Sequence, residues 1–152
     1  MHSKFLGAAL ALALGSGYAQ DAFAQVKPEV MVEQRQAAMR LQAKYLFPLV
    51  PMAQGKIPWD AAVVARNAGY LDVLIRLAWD GFDPGTQGVK SRALPEIYSD
   101  PAKFKAAQET VFADMTKFVT AAKSGNEAAA KTAIGDVAKA CSGCHDTFRQ
   151  RQ

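Results

Sequence analysis

The two cysteines of the chain lie three residues apart and are followed at once by a histidine, in the run Cys141-Ser142-Gly143-Cys144-His145. Two thiols at this spacing can add to the vinyl groups of a haem, and the adjacent histidine can then bind the iron. On a helix the two sulfurs lie about one turn apart, so a single turn supplies attachment and ligation together. The motif therefore predicts one haem c, attached covalently through Cys141 and Cys144, with His145 as axial ligand of the iron.

A cysteine pair at this spacing also occurs in redox dithiols, in local disulfides and, with further ligands, in zinc sites. A redox dithiol needs a preceding strand and its first cysteine at a helix N-terminus, where the thiol pKa is lowered. Neither feature is predicted here. A structural zinc site needs about four cysteine or histidine ligands, and this turn holds three. The chain has two histidines, and because His2 falls in a segment that we expect to be removed, chemistry that needs two histidines is excluded.

The motif has to be positioned by helices. Apolar residues recur at spacings of three and four in four stretches, and no stretch alternates with period two for long. The first stretch begins near Pro28, which suits an initial helical position, and places Arg35 and Met39 on one face. The second follows Asp60 and carries its apolar repeat as far as Phe82. A loop with several glycines and prolines, over residues 83–95, is expected next.

The third and fourth helices have clear end signals. Asp100 precedes a first-turn proline, Pro101, and Gly125 ends the third helix. Asn126 then caps the fourth helix, which runs to about Phe148 and has the motif on its inner face. Four amphipathic helices with short connections predict an all-α fold, an antiparallel four-helix bundle that builds its cofactor site between facing helices.

Residues 1–24 have the pattern of a secretory signal peptide. A basic start at Lys4 is followed by a short apolar stretch and by the small residues of Ala22-Phe23-Ala24. We expect the mature chain to occupy residues 25–152 as one domain and to be exported to the periplasm. No stretch is long and apolar enough to suggest a membrane span. The net charge is +4, and the charged residues form no block of consecutive like charges. Nucleic acid is therefore not an expected partner.

Over essentially the whole mature chain the sequence resembles the cytochrome c′ family, the class II cytochromes c. The placement of the haem motif near the C-terminus, on the last helix of a bundle, is typical of that family. The segments that carry the resemblance are Lys27-Pro28-Glu29, Arg35-Gln36 with Met39, Trp79 with Phe82, Pro84-Gly85-Thr86, Pro95-Glu96-Ile97, Tyr98-Ser99-Asp100, Gly135-Asp136-Val137, the Cys-x-x-Cys-His-Asp run and Phe148-Arg149.

The resemblance implies a five-coordinate, high-spin iron whose open side binds nitric oxide and carbon monoxide. It places Arg149 beside His145. It also places Arg35 and Gln36 near the haem edge, where a guanidinium would pair with a propionate through charge-assisted hydrogen bonds. Thr86 is a further candidate for such a contact. The protein would also pass single electrons, to a partner that the sequence does not identify.

The haem pocket is expected to be lined by aromatic side chains, Trp79, Phe82 and Phe148, which would keep hydrated anions out and admit small neutral gases. Met39 has two interpretations. Either it packs over the open side of the iron, which we favour, or its thioether is the sixth ligand and makes the protein a low-spin electron carrier. An enzymatic function is not expected, because no positioned proton donor is found.

A homodimer interface on the first two helices is implied by the resemblance alone. Apolar residues off the haem face of the first helical stretch are compatible with such an interface. They are Leu41, Tyr45 and Leu49.

Overall fold

The computed structural model describes residues 26–151, so the predicted signal peptide lies outside the described residues. The helices are α1 (Pro28–Leu46), α2 (Leu49–Ala53), α3 (Ala61–Leu77), α4 (Glu96–Ser99), α5 (Pro101–Lys123) and α6 (Glu127–Phe148). The four long ones, α1, α3, α5 and α6, form the bundle, which confirms the predicted all-α class and architecture. Within residues 26–151, no helix combines the length and the apolar character that crossing a membrane requires.

Local sequence signals start each long helix. Pro28 begins α1, where its missing N–H costs no hydrogen bond. The other three long helices begin after a residue whose side-chain oxygen accepts a hydrogen bond from the backbone nitrogen three residues later, at 3.0 Å in each case. These capping residues are Asp60, Asp100 and Asn126. Gly125 adopts a positive φ of 70° in the turn between α5 and α6, which keeps these two helices adjacent and antiparallel.

The apolar faces of the four long helices meet in one core. Its fully buried members contribute roughly 1.5–3 kcal/mol each when their side chains leave water. The largest of them are Phe118, Leu49, Leu71, Met115, Ile134, Val64 and Val137. The sequence is compatible with Leu49 in a surface interface, and the structure corrects this, because Leu49 is fully buried in the core. The short helix α2 turns back against α6 and buries Leu49 completely.

The second long helix is shorter than the apolar repeat predicts. It ends at Leu77, and Phe82 lies in a 3₁₀ turn over Asp80–Phe82. This turn lies close against α1. A Cβ added to Gly81 would lie 2.5 Å from the Cβ of Arg35, so this glycine is required for the contact.

Candidate haem site

The two cysteines lie near the C-terminal end of α6, on its core-facing side. Cys141 and Cys144 are free thiols, each half-buried, on the side of the helix that also carries the buried Val137 and Phe148. Burial raises the pKa of the Cys141 thiol to about 11, with a smaller contribution from the charge of Cys144. Burial also raises the pKa of Cys144. Raised pKa values oppose a redox-dithiol function, which depends on a stabilised thiolate.

His145 follows Cys144 on the same turn and is half-buried. Burial lowers the pKa of its imidazole, and the positive charges of Arg149 and Arg92 act in the same direction, while Asp146 opposes them. The neutral imidazole is therefore favoured at neutral pH. Neutral imidazole is the form that presents a lone pair to a metal ion.

Five aromatic rings form a cluster where α3, α5 and α6 meet, next to the motif. Phe104 lies at its centre. Its ring centroid is 4.9 Å from that of Phe82, 5.2 Å from Phe148 and 5.7 Å from Trp79. Phe112 contacts Trp79 from the other side at 5.6 Å. The structure thus brings together the three predicted pocket aromatics, Trp79, Phe82 and Phe148.

Arg35 is buried in the bundle, with 4% of its surface exposed. Its Nη1 donates to the carbonyl oxygen of Gly81 at 2.5 Å, and its Nη2 donates to the hydroxyl of Ser91 at 3.2 Å. The guanidinium carbon lies 4.3 Å from the centroid of the Phe82 ring, in a cation–π arrangement. The predicted arginine is therefore in direct contact with the aromatic cluster.

The hydrogen bonds of Arg35 all go to neutral acceptors. Within residues 26–151, no carboxylate lies within ion-pair distance of its guanidinium. A buried charge is costly unless an opposite charge compensates it. A haem fits this site because it would bring two propionate carboxylates to a buried cation that has none. The same described residues hold no cluster of three or more histidine, cysteine or acidic side chains that could bind a metal ion by themselves.

The other predicted site residues have different surroundings. Met39 is half-buried on α1, one turn beyond Arg35, whereas Gln36 is exposed. Arg149 is exposed, and its backbone nitrogen donates to the carbonyl oxygen of His145 at 3.1 Å. Arg149 therefore lies at the C-terminal end of the motif helix, beside the histidine.

Thr86 is buried but its hydroxyl is engaged within its own loop. Its Oγ1 donates to the carbonyl oxygen of Asp83 at 2.7 Å and lies 2.9 Å from the hydroxyl of Tyr98. It also lies 3.3 Å from the carbonyl oxygen of Gly81, the acceptor of Arg35. These hydrogen bonds hold the loop that carries Gly81 together, and Arg35 contacts the same Gly81 carbonyl from α1.

Several residues of the site were not singled out as site residues from the sequence, namely Gly81, Ser91, Arg92 and Phe104. Gly81 interrupts the apolar repeat of the second helix, which was a signal for a close backbone approach. The sequence does not distinguish Phe104 from an ordinary core residue of the third helix. Ser91 and Arg92 lie in an irregular loop, and no sequence pattern marks them as site residues. Their partners are far away along the chain, and sequence periodicity does not reveal such contacts.

Comparison with known proteins matches residues 30–149 to the family model described as cytochrome c′. A cytochrome c′ from Alcaligenes xylosoxydans xylosoxydans is 38% identical over 126 residues, which cover 83% of this chain and 98% of the relative. The crystal structure of cytochrome c′ from Rubrivivax gelatinosus is 40% identical, covers 82% of this chain and 98% of that one, and superposes with a TM-score of 0.79.

Two further structures are gas complexes of variants of the cytochrome c′ from Alcaligenes xylosoxidans. The nitric oxide complex has a TM-score of 0.78 at 37% identity and covers 84% of this chain and 98% of that one. The carbon monoxide complex has a TM-score of 0.77 at 37% identity, and the match covers 83% of this chain and 98% of that one.

The bundle, the Cys-x-x-Cys-His turn on its last helix and the carboxylate-free arginine define a c-type haem protein with a four-helix fold. The chain belongs to the cytochrome c′ family. Its cofactor is haem c, and the two cysteines fit the covalent attachment that this family uses.

Proposed function

We propose that this chain is a periplasmic haem protein with a five-coordinate, high-spin iron that binds nitric oxide and carbon monoxide and can also transfer single electrons. One observation carries the proposal. His145, whose imidazole pKa is lowered by burial, lies three residues before Phe148, a member of the aromatic cluster centred on Phe104. The imidazole would bind the iron, and the aromatic side chains would give the bound haem apolar surroundings.

Each residue then has a defined task. Cys141 and Cys144 would hold the haem by two thioether bonds, and His145 would bind its iron. When bound, the haem supplies an iron with one position open to a small neutral ligand. Arg35 compensates the propionate charge from a preorganised position between Gly81 and Phe82.

The aromatic side chains control which ligands enter. Trp79, Phe82 and Phe148 present apolar surface, so an anion such as azide would have to leave its hydration shell to enter, whereas nitric oxide and carbon monoxide would not. Gas complexes of relatives that are 37% identical to this chain support the same ligands. Arg149, beside His145, and Gln36, on the surface of α1 next to Arg35, remain proposed haem neighbours.

Met39 decides between two functions. We assign it to packing over the open side of the iron, one turn along α1 from Arg35. The alternative makes its thioether a sixth ligand, so that the protein is a low-spin electron carrier. The half-buried position of Met39 on the helix face that Arg35 shares motivates this alternative.

Paired variants of Met39 separate the two functions. We expect Met39→Leu to leave the ferrous spectrum unchanged, because leucine fills a similar volume and no bond to iron is lost. Met39→Ala removes the side chain that covers the iron, so carbon monoxide should bind several-fold faster. A change of spin state in both variants would contradict the packing role and establish methionine ligation.

We further propose that the protein is not an enzyme and is exported. The residues that the structure describes contain one histidine, His145, which the proposal assigns to the iron, so no second imidazole is available as a proton donor near the aromatic cluster. Peroxide-dependent oxidation of a dye far above the rate of free haem would contradict this assignment. Residues 1–24 lie outside the described part, and cleavage is tested by sequencing the N-terminus of protein released from the periplasm, with Gln25 expected first.

A homodimer is the remaining proposal about assembly. Large apolar side chains are exposed on the outer faces of α1 and α3, which pack side by side. The exposed residues are Val30 and Leu41 on α1 and Tyr70, Val73 and Leu77 on α3. A second copy of this chain would remove them from water.

A further inference from the structure

Three arginines lie around the exposed end of the haem-binding helix. Arg149 directly follows α6, and Arg151 is two residues further along. Arg92 comes from the loop before α4, and its guanidinium donates to the carbonyl oxygen of Gln150, the residue between Arg149 and Arg151. We call this surface, defined by Arg92, Arg149 and Arg151, the basic end of the bundle.

The basic end is held in place by backbone pairing. The backbone nitrogen of Gln150 donates to the carbonyl oxygen of Arg92 at 2.8 Å, and that of Leu94 donates to the carbonyl oxygen of Phe148 at 2.9 Å. The guanidinium of Arg92 donates from Nε and Nη2 to the carbonyl oxygen of Gln150, at 3.2 Å and 2.6 Å. The arginine is thus oriented before any partner arrives, which lowers the entropy cost of binding.

The charge of the basic end is poorly compensated. Among the residues described, the one ion pair found on this surface joins Arg151 to Asp146 at 3.8 Å, and both side chains are largely exposed. The neighbouring open groove between α5 and α6 differs. This groove, about 530 Å³ in volume, reaches Cys144 but carries acids and lysines in equal number, namely Asp114, Lys117, Asp136 and Lys139. Net positive charge therefore accumulates at the basic end and not along the groove.

The basic end also adjoins the cofactor-binding turn, because the backbone nitrogen of Arg149 donates to the carbonyl oxygen of His145 at 3.1 Å. We propose that it is the docking surface for a redox protein with an acidic face, which exchanges electrons with this chain there. The inference rests on the proposed function, since it takes haem c to be attached at Cys141 and Cys144. Charge complementarity at such a surface raises the association rate and orients the partner.

Electron exchange with small charged oxidants tests the surface. In a stopped-flow experiment, ferricyanide, a trianion, takes one electron from the ferrous protein, which gives the ferric protein and ferrocyanide, with no proton transferred. A cationic oxidant, tris(phenanthroline)cobalt(III), takes one electron in the same way. A change in the redox potential of the protein alters both rates in the same direction, whereas a change in steering alters them in opposite directions.

Arg151→Gln and Arg92→Gln are the test variants, and Lys123→Gln is the matched control. Lys123 is exposed at the end of α5, and α6 separates it from His145 by about 27 Å, at a rise of about 1.5 Å per residue. All three substitutions remove one positive charge. Arg151→Gln leaves every backbone contact of the loop intact, so it keeps the test valid if Arg92→Gln disturbs the structure.

At an ionic strength of about 10 mM, we expect each arginine variant to react with ferricyanide about threefold more slowly and with the cobalt complex faster. Lys123→Gln should change either rate by less than about 1.5-fold, because its distance approaches the screening length. The differences should disappear near 0.5 M salt. Polyglutamate should slow the ferricyanide reaction of the native protein and have less effect on Arg151→Gln.

If Lys123→Gln changed the oxidation rates as much as the arginine variants do, the proposal would be overturned. Such a result would mean that the net charge of the protein, and not the basic end, controls the rates. Changes of the same sign for the two oxidants would also overturn it. The carbon monoxide adduct, recorded on the same samples, tests the proposed function separately. A protein that forms no adduct would lose the gas-binding assignment, while the rates with the two oxidants would still decide the docking surface.

Discussion

Arg35 and Gly81 are in direct contact although 46 residues separate them in the chain: the guanidinium donates to the glycine carbonyl at 2.5 Å. A Cβ on Gly81 would meet the Cβ of Arg35 at 2.5 Å and the carbonyl oxygen of Met31 at 2.7 Å. The absence of a side chain at position 81 therefore sets the distance between α1 and the loop. That distance in turn holds Arg35 at the position from which it is proposed to pair with the propionates.

Gly81→Ala should destabilise the protein, because the added methyl group meets backbone and the base of a side chain that cannot move aside. We expect a loss of roughly 1–3 kcal/mol in the free energy of unfolding. Gly135→Ala is the matched control. Gly135 is exposed in the middle of α6 with nothing within 4 Å of a new Cβ, so this change should stabilise by roughly 0.5–1 kcal/mol. Urea denaturation of the two haem-loaded variants measures the free energy of unfolding of each. Similar free energies for both variants would contradict the close approach of Gly81 to α1.

Arg35→Gln should lower the stability of the haem-loaded protein by roughly 1.5–3 kcal/mol, since it removes charge-assisted hydrogen bonds to the propionates. Arg35→Lys keeps the charge but not the planar fork that reaches Gly81 and Ser91 together. We expect an intermediate loss for it. Thermal unfolding followed at the Soret band tests this order, and an Arg35→Gln protein as stable as the native one would show that the charge is not used.

The thiols of the haem-free chain should be unreactive at neutral pH. Burial raises the pKa of Cys141 from an ordinary 9.0 to about 11. Alkylation by iodoacetamide should therefore increase with pH up to about 11 in the folded chain, and only up to about 9 in urea. Because the folded pKa is above the unfolded value, this thiol stabilises the fold below about pH 9, and the contribution is lost as the pH rises toward 11. Circular dichroism must show that the haem-free chain is helical under the conditions of the experiment. Equal alkylation rates with and without urea would contradict the burial of Cys141.

Val73→Glu should convert the proposed dimer to a monomer, because the side chain is 61% exposed on α3 and a charge there would be buried unpaired in the interface. Ile57→Glu is the control, since Ile57 is exposed in the loop before α3 and lies off the two helix faces. Sedimentation equilibrium gives the mass of each protein. A dimer that survives Val73→Glu, or a native monomer, would contradict an interface on α1 and α3.

The fold could be predicted because its signals are local. Asp60, Asp100 and Asn126 each start a helix through a hydrogen bond to a residue three positions later, and the cysteine motif occupies one turn. Contacts of the site that depend on distant residues could not be predicted in this way. Ser91 meets Arg35 across 56 residues, and Arg92 meets Gln150 across 58. The turn after α3 combines both kinds of information, because Gly81 is visible in the sequence whereas its contact with Arg35 on α1 is not.

The central claim is an open iron, with His145 as its one protein ligand. An absorption spectrum of the purified protein, ferric and dithionite-reduced, before and after addition of carbon monoxide, tests it most directly. We expect a broad high-spin ferrous Soret band that sharpens when carbon monoxide binds. A low-spin ferrous spectrum with split visible bands that carbon monoxide does not change would contradict the claim, because it would mean that Met39 occupies the sixth position.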